Sequence, residues 1–201
     1  MSLTLEQWDN VSSILSNAIT ATTIILGAIF GRNKINDFLN TKKKEQAFNA
    51  AINLNKSIDE LWTLYGKLTV STNEIMTLLM TTPSEKIGKV EFYEVQNKYQ
   101  KTTEDFSYFF SCHIALRHYN VHIKNEAMST LLRKNGKIAM AAGEFFKLAL
   151  RYINTIEQPI PTLEEVKTAY DKLAEEKLSA GPIISAVKAI KFEDMYGFSK
   201  K

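Results

Sequence analysis

The chain has 201 residues, which is enough for one domain with a hydrophobic core and one additional element. Its net charge is +3 and 23% of its residues are charged, so charge alone does not demand a nucleic-acid partner. The single cysteine, Cys112, excludes an internal disulfide and fits a reducing compartment.

The first predicted element is a transmembrane helix over Val11–Phe30. No residue from Asn10 to Gly31 carries a charge, and about 20 helical residues cross a hydrocarbon core of roughly 30 Å. Ser, Thr and Asn are frequent in this run, so an isolated helix would insert only marginally. A helix buried in a soluble core stays open as an alternative. A cleaved signal peptide is disfavoured because no Lys or Arg precedes the run.

The residues on either side of this run predict how the helix is oriented across the membrane. Trp8 stands where an interfacial aromatic residue belongs, and Arg32, Lys34 and three consecutive lysines follow the run. The positive-inside rule places the N-terminus outside and the rest of the chain in the cytoplasm. The predicted organisation is a transmembrane segment over 1–32, a cytoplasmic helical domain over 33–194 and a tail over 195–201.

Small and polar residues form a stripe along one face of the predicted span. Their spacing of three and four residues places them on one side of a helix. Such a stripe in lipid can pack helices closely or face water inside an oligomer, and both uses stay open. Either use needs more than one copy of the chain, which predicts a homo-oligomer. The stripe consists of Ser13, Ser16, Thr20, Thr23 and Gly27, with Asn17 beside it.

The remainder of the chain has helical periodicity. An amphipathic helix is predicted from about Phe48 to the residues before Pro83, with an apolar face. The following segment has a second apolar face, and Thr102 and Thr103 indicate a kink or a break. A third helix is predicted over about Ala127 to Ile156. The first face contains Phe48, Ile52, Ile58, Leu61, Trp62, Tyr65 and Leu68, and the second contains Val95, Tyr99, Phe106, Phe109, Phe110 and Ile114.

Capping and breaking residues organise the C-terminal part. Thr162 and Glu165 form a capping box that predicts the start of another helix. A short helix is expected over Ile183 to Phe192, and the last residues are expected to form a loose tail. No stretch alternates for long enough to predict a strand. The predicted fold class is therefore all-α, a bundle of four to five helices with the clusters "FSYFF" and "EFF" in its core.

Known catalytic signatures are scarce. There is no Gly-rich phosphate loop, paired-cysteine site or Gly-x-Ser-x-Gly motif. His113, His118 and His122 are close in sequence. His118 and His122 are four apart and would share a helix face, but a third metal ligand with the right spacing to this pair is not visible. We therefore predict no metal and no cofactor.

Arg117 and His122 form an Arg-x4-His motif, with the polar residue His118 directly after the arginine. A guanidinium can hold a phosphate, and a histidine can act as general acid or base. On an ideal helix residues five apart point about 140° apart, so the pair needs a helix end between them or a second subunit. The alternative is an Arg and a His that tie helices together.

An all-α chain with this motif resembles the HEPN superfamily of helical domains, which occur in RNases, toxins and phage-defence proteins. With one N-terminal span in about 200 residues, it resembles the membrane accessory protein of type VI-B CRISPR systems. The resemblance rests on Arg117, His118 and His122 as a candidate catalytic motif and on the overall layout of the chain.

That resemblance implies a homo-oligomeric ring, octameric in that family, in the bacterial inner membrane. Its pore would depolarise the infected cell and enhance RNA-targeting CRISPR interference by an RNA-guided effector. The alternative is a membrane-anchored HEPN ribonuclease that acts as an oligomer on RNA. The chain carries one motif, so a composite RNase site would need a second copy from another protomer.

Overall fold

The computed structural model describes residue 32 and residues 34–83, 86–154 and 159–198. The chain divides into two compact units, Met1–Gln46 and Ala47–Lys201. In the first unit, residues 34–46 are helical and every one of them is exposed.

Two helices open the second unit. The helix α1 covers residues 34–59, of which 47–59 belong to this unit, and α2 covers Leu61–Thr81 after the turn residue Glu60. Ala51, Leu54 and Ile58 are buried on α1, at the three- and four-residue spacing of an amphipathic helix.

The helix α3 covers Lys89–His118 without interruption, so the alternative of a break at Thr102 and Thr103 is wrong. The hydroxyl of Thr103 donates to the carbonyl of Tyr99 at 3.0 Å. A threonine inside a helix can make this bond to the carbonyl four residues earlier without ending the helix.

A short antiparallel strand pair follows α3. The strand β1 covers Val121–Ile123 and pairs with β2, Tyr196–Phe198, with His122 opposite Gly197. Three residues are too few to show alternation in the sequence, so neither strand was predicted. The expectation of a loose tail is wrong for residues 195–198, because Met195 and Tyr196 are buried.

The remaining helices are α4, Glu126–Ile153, α5, Leu163–Leu178, α6, Gly181–Lys188, and α7, Phe192–Met195. The predicted capping box of α5 is confirmed, since Thr162 and Glu165 bond reciprocally. The short helix expected from Ile183 begins earlier, because Pro182 fits the first turn of α6.

The hydrophobic core surrounds α4, which contacts α3, α5 and α6. Phe145 and Phe146 are fully buried, and the ring of Phe146 stacks on Tyr99 with centroids 5.4 Å apart. The predicted aromatic core is confirmed for these residues and for Phe109. It is wrong for Tyr108, which is exposed. The predicted apolar faces are likewise wrong at Phe48, Trp62 and Ile114, whose side chains are exposed.

The all-α prediction is confirmed for the described residues, where five long helices and two short ones account for most of the chain. Within these residues no helix combines the length and the apolar character that a membrane crossing requires. The predicted span, Val11–Phe30, lies outside the described residues.

Candidate functional site

The end of α3 presents two of the predicted site residues. Arg117 and His118 lie in its last turn, and both are exposed. Cationic side chains here interact favourably with the negative end of the helix dipole. The ring of His118 meets the ring of Tyr119 edge-on, with centroids 4.9 Å apart.

Asn120 turns the chain out of the helix between Arg117 and His122. Its φ of 55° is left-handed, and its N–H donates to the carbonyl of Arg117 at 3.1 Å. Asparagine tolerates this conformation better than most residues with a Cβ. The five-residue spacing therefore crosses a helix end, and the separation of about 140° on a continuous helix does not apply.

His122 occupies the centre of β1 and is exposed. Pairing with Gly197 of β2 fixes this strand, and the N–H of Lys124 donates to the carbonyl of Met195 at 2.9 Å. The backbone that carries His122 is thereby held by the C-terminal segment. The buried Tyr196 side chain anchors that segment in the core.

His113 lies one turn before Arg117 and adds a third histidine to this end of the second unit. Burial, and then the positive charge of Arg117, lower the pKa of His113 below 6.5. The imidazole of His113 is therefore neutral at pH 7 beside a permanent cation. His113 was predicted only as a possible member of a metal site, although its spacing of four from Arg117 indicates that the two residues share a helix face.

The site combines one exposed guanidinium with exposed and half-buried imidazoles. A guanidinium can bind a phosphate through two parallel hydrogen bonds, and an imidazole can donate to a phosphate oxygen or move a proton. Among the described residues, no group of three or more His, Cys, Asp or Glu side chains could hold a metal ion. The arrangement is therefore suited to an anionic ligand.

The residues predicted to line a pore or pack helices are not described by the structure. These residues are Ser13, Ser16, Asn17, Thr20, Thr23 and Gly27. The candidate site thus contains only the Arg-x4-His part of the prediction and His113.

A groove between α3 and α4 was not predicted. It has a volume of about 1030 Å³, and its walls include Phe106, Phe110, Met140 and Lys137. Phe106 is buried, as predicted for the core, and Phe110 packs against the core while both line the groove. Periodicity alone does not distinguish a core face from a groove wall.

Comparison of the chain with protein-family models, curated proteins and solved structures finds no match. The resemblance to the HEPN superfamily therefore rests on the Arg-x4-His motif and the layout of the chain.

Proposed function

We propose that this chain is an antiphage defence protein that forms a homo-oligomeric pore in the bacterial inner membrane. The uncharged run Val11–Phe30 supports this, because its polar stripe needs partners within lipid. The pore depolarises the cell and enhances RNA-targeting CRISPR interference. Arg117, His118 and His122 form the site at which the cytoplasmic domain senses RNA.

The observation that carries the RNA site is the helix end between Arg117 and His122. Arg117 lies in the last turn of α3, Asn120 turns the backbone out of the helix, and His122 lies in the next element, β1. A continuous helix would separate the two side chains by about 140°, whereas this turn removes that constraint. Exposure of both residues leaves room for a ligand as large as an RNA phosphodiester.

A membrane-anchored ribonuclease is the second candidate. The same observation favours it, because a guanidinium and an imidazole near one phosphodiester can support its cleavage. Within a homo-oligomer, a neighbouring protomer supplies the second motif. Arg117 then holds the phosphate and His122 is the base.

Two assays on the purified full chain separate these functions. Reconstituted vesicles report ion conductance, and a labelled RNA oligonucleotide reports binding and cleavage. For a pore that senses RNA, we expect Arg117→Ala to weaken RNA binding while the conductance of the wild-type protein is retained. Arg133→Ala is the matched control, because Arg133 is also exposed but lies on α4.

The two assays have outcomes that distinguish the pore from the ribonuclease and test the RNA site. RNA degradation that disappears in His122→Ala favours the ribonuclease. Ion-tight vesicles that contain the wild-type protein contradict the pore. Equal RNA binding by wild-type protein and Arg117→Ala contradicts the assignment of the RNA site.

A further inference from the structure

The net charge of this chain is concentrated in one short segment. Residues 32–46 contain five cations and two carboxylates, a net charge of +3, which equals the net charge of all 201 residues. The other residues together are therefore neutral. The cations are Arg32, Lys34, Lys42, Lys43 and Lys44, and the carboxylates belong to Asp37 and Glu45.

The same segment exposes an apolar stripe. Ile35, Phe38 and Leu39 lie on one side of the helix at a spacing of three and four, and they are 61%, 61% and 48% exposed. At about 100° per residue, Lys43 lies to one side of this stripe and Lys34 to the other. Asp37 lies on the far side of the helix by the same geometry.

We propose that residues 34–46 lie along the surface of an anionic bilayer. The apolar stripe enters the boundary between headgroups and acyl chains, and the flanking lysines contact anionic headgroups. Lys42 lies on the same side of the helix as the stripe, one turn after it, and its long aliphatic stem can extend along the apolar surface so that the ammonium group reaches the headgroups. This inference goes beyond the proposed function, because it needs a lipid surface but neither a pore nor an RNA site.

Charge and exposure favour lipid over other partners. RNA would neutralise the cations but leave Ile35, Phe38 and Leu39 in water. A second copy of the segment would bring together two segments that each carry a net charge of +3, and the repulsion between them is unfavourable. Among the described residues, a salt bridge of 2.8 Å to Glu45 engages one of the five cations, Lys42.

The test places an environment-sensitive fluorophore on single cysteines of the full chain in a Cys112→Ala background. Gln46→Cys reports from the side of the apolar stripe, and Asn40→Cys is the matched control on the other side. Both positions are polar, uncharged and exposed. Each protein is reconstituted into phosphatidylcholine vesicles, with or without phosphatidylglycerol.

We expect a blue shift at position 46 that requires phosphatidylglycerol and disappears at high salt, and no shift at position 40. The triple variant Lys34→Gln, Lys42→Gln, Lys43→Gln, which removes the lysines on and beside the stripe, should lose the shift. Equal behaviour of the two positions, or independence from anionic lipid, overturns the proposal. A blue shift at position 46 that appears when RNA is added without lipid would assign the segment to RNA, and one that appears when only the protein concentration is raised would assign it to a second copy of the chain. Either result overturns the proposal.

Flotation of the same vesicles distinguishes this inference from the proposed function. Flotation with neutral vesicles tests whether residues 11–30 span the membrane. The comparison of positions 46 and 40 tests whether the helix over residues 34–46 lies on an anionic surface. Unchanged thermal unfolding by circular dichroism shows that each variant retains the fold of the second unit.

Discussion

His113 and Arg117 lie one turn apart on α3. Burial lowers the pKa of His113, and the positive charge of the Arg117 guanidinium lowers it further. The charge state of this imidazole thus depends on its neighbour in the Arg-x4-His motif. Any anion that binds Arg117 would screen its charge, so His113 is an internal reporter of the candidate site.

Removal of the Arg117 charge should raise the pKa of His113. We expect Arg117→Gln to move this pKa towards 6.5 without reaching it, since burial still disfavours the charged ring. Histidine-selective NMR titration of the full chain in detergent measures it, with the other rings assigned from His118→Gln and His122→Gln. Arg133→Gln should leave the pKa of His113 unchanged. A pKa of His113 that does not respond to Arg117→Gln contradicts this coupling.

The lowered pKa of His113 also predicts a pH dependence of stability. The unfolded chain binds a proton at His113 near pH 6.5, whereas the folded chain binds it only at lower pH. The free energy of unfolding should therefore decrease as the pH falls below about 6.5, until the folded pKa is passed. Urea unfolding at several pH values measures this slope, and His113→Asn should reduce it. An unchanged slope in His113→Asn would assign the dependence to other groups.

The left-handed residue Asn120 should tolerate glycine but not a β-branched residue. We expect Asn120→Val to lower the free energy of unfolding by about 1–2 kcal/mol, because the branched valine Cβ conflicts with a positive φ that asparagine tolerates. Asn120→Gly should be close to neutral. Urea unfolding compares the two variants, and equal stabilities would argue against this turn geometry. Asn120→Val should also weaken RNA binding if the turn positions Arg117 and His122.

Tyr65 and Asn135 form a buried polar pair in the core. The Tyr65 hydroxyl donates to Asn135 Oδ1 at 2.5 Å, and Asn135 is fully buried. We expect Tyr65→Phe to cost about 1–3 kcal/mol, because it leaves the amide oxygen without this donor. Replacing Asn135 with Leu in the same protein should recover part of the loss, since no buried amide then remains. A double variant less stable than Tyr65→Phe would contradict this pairing.

Much of the fold was predictable from local signals in the sequence. Thr162 and Glu165 locate the start of α5, and prolines locate the segments between helices, because these effects act within a few residues. The strand pair was not predictable, because β1 and β2 are short and more than 70 residues apart in sequence. Their pairing depends on the burial of Tyr196, a tertiary effect.

The candidate site was predictable in part. The Arg-x4-His motif identified Arg117, His118 and His122, but only the structure shows that α3 ends between the arginine and the last histidine. The end is set by the backbone conformation of Asn120, and asparagine occurs both inside and outside helices. The half-burial of His113 likewise depends on packing in three dimensions.

We predict that several copies of this chain assemble in lipid, because the stripe of small and polar residues between Ser13 and Gly27 needs partners there. Imaging of the full chain in detergent, together with its mass, tests this claim most directly. We predict a symmetric ring with a central channel, and Gly27→Leu should disturb it more than Ile25→Leu, which changes a residue off the stripe. A homogeneous monomer that contains the intact N-terminal segment would contradict the claim.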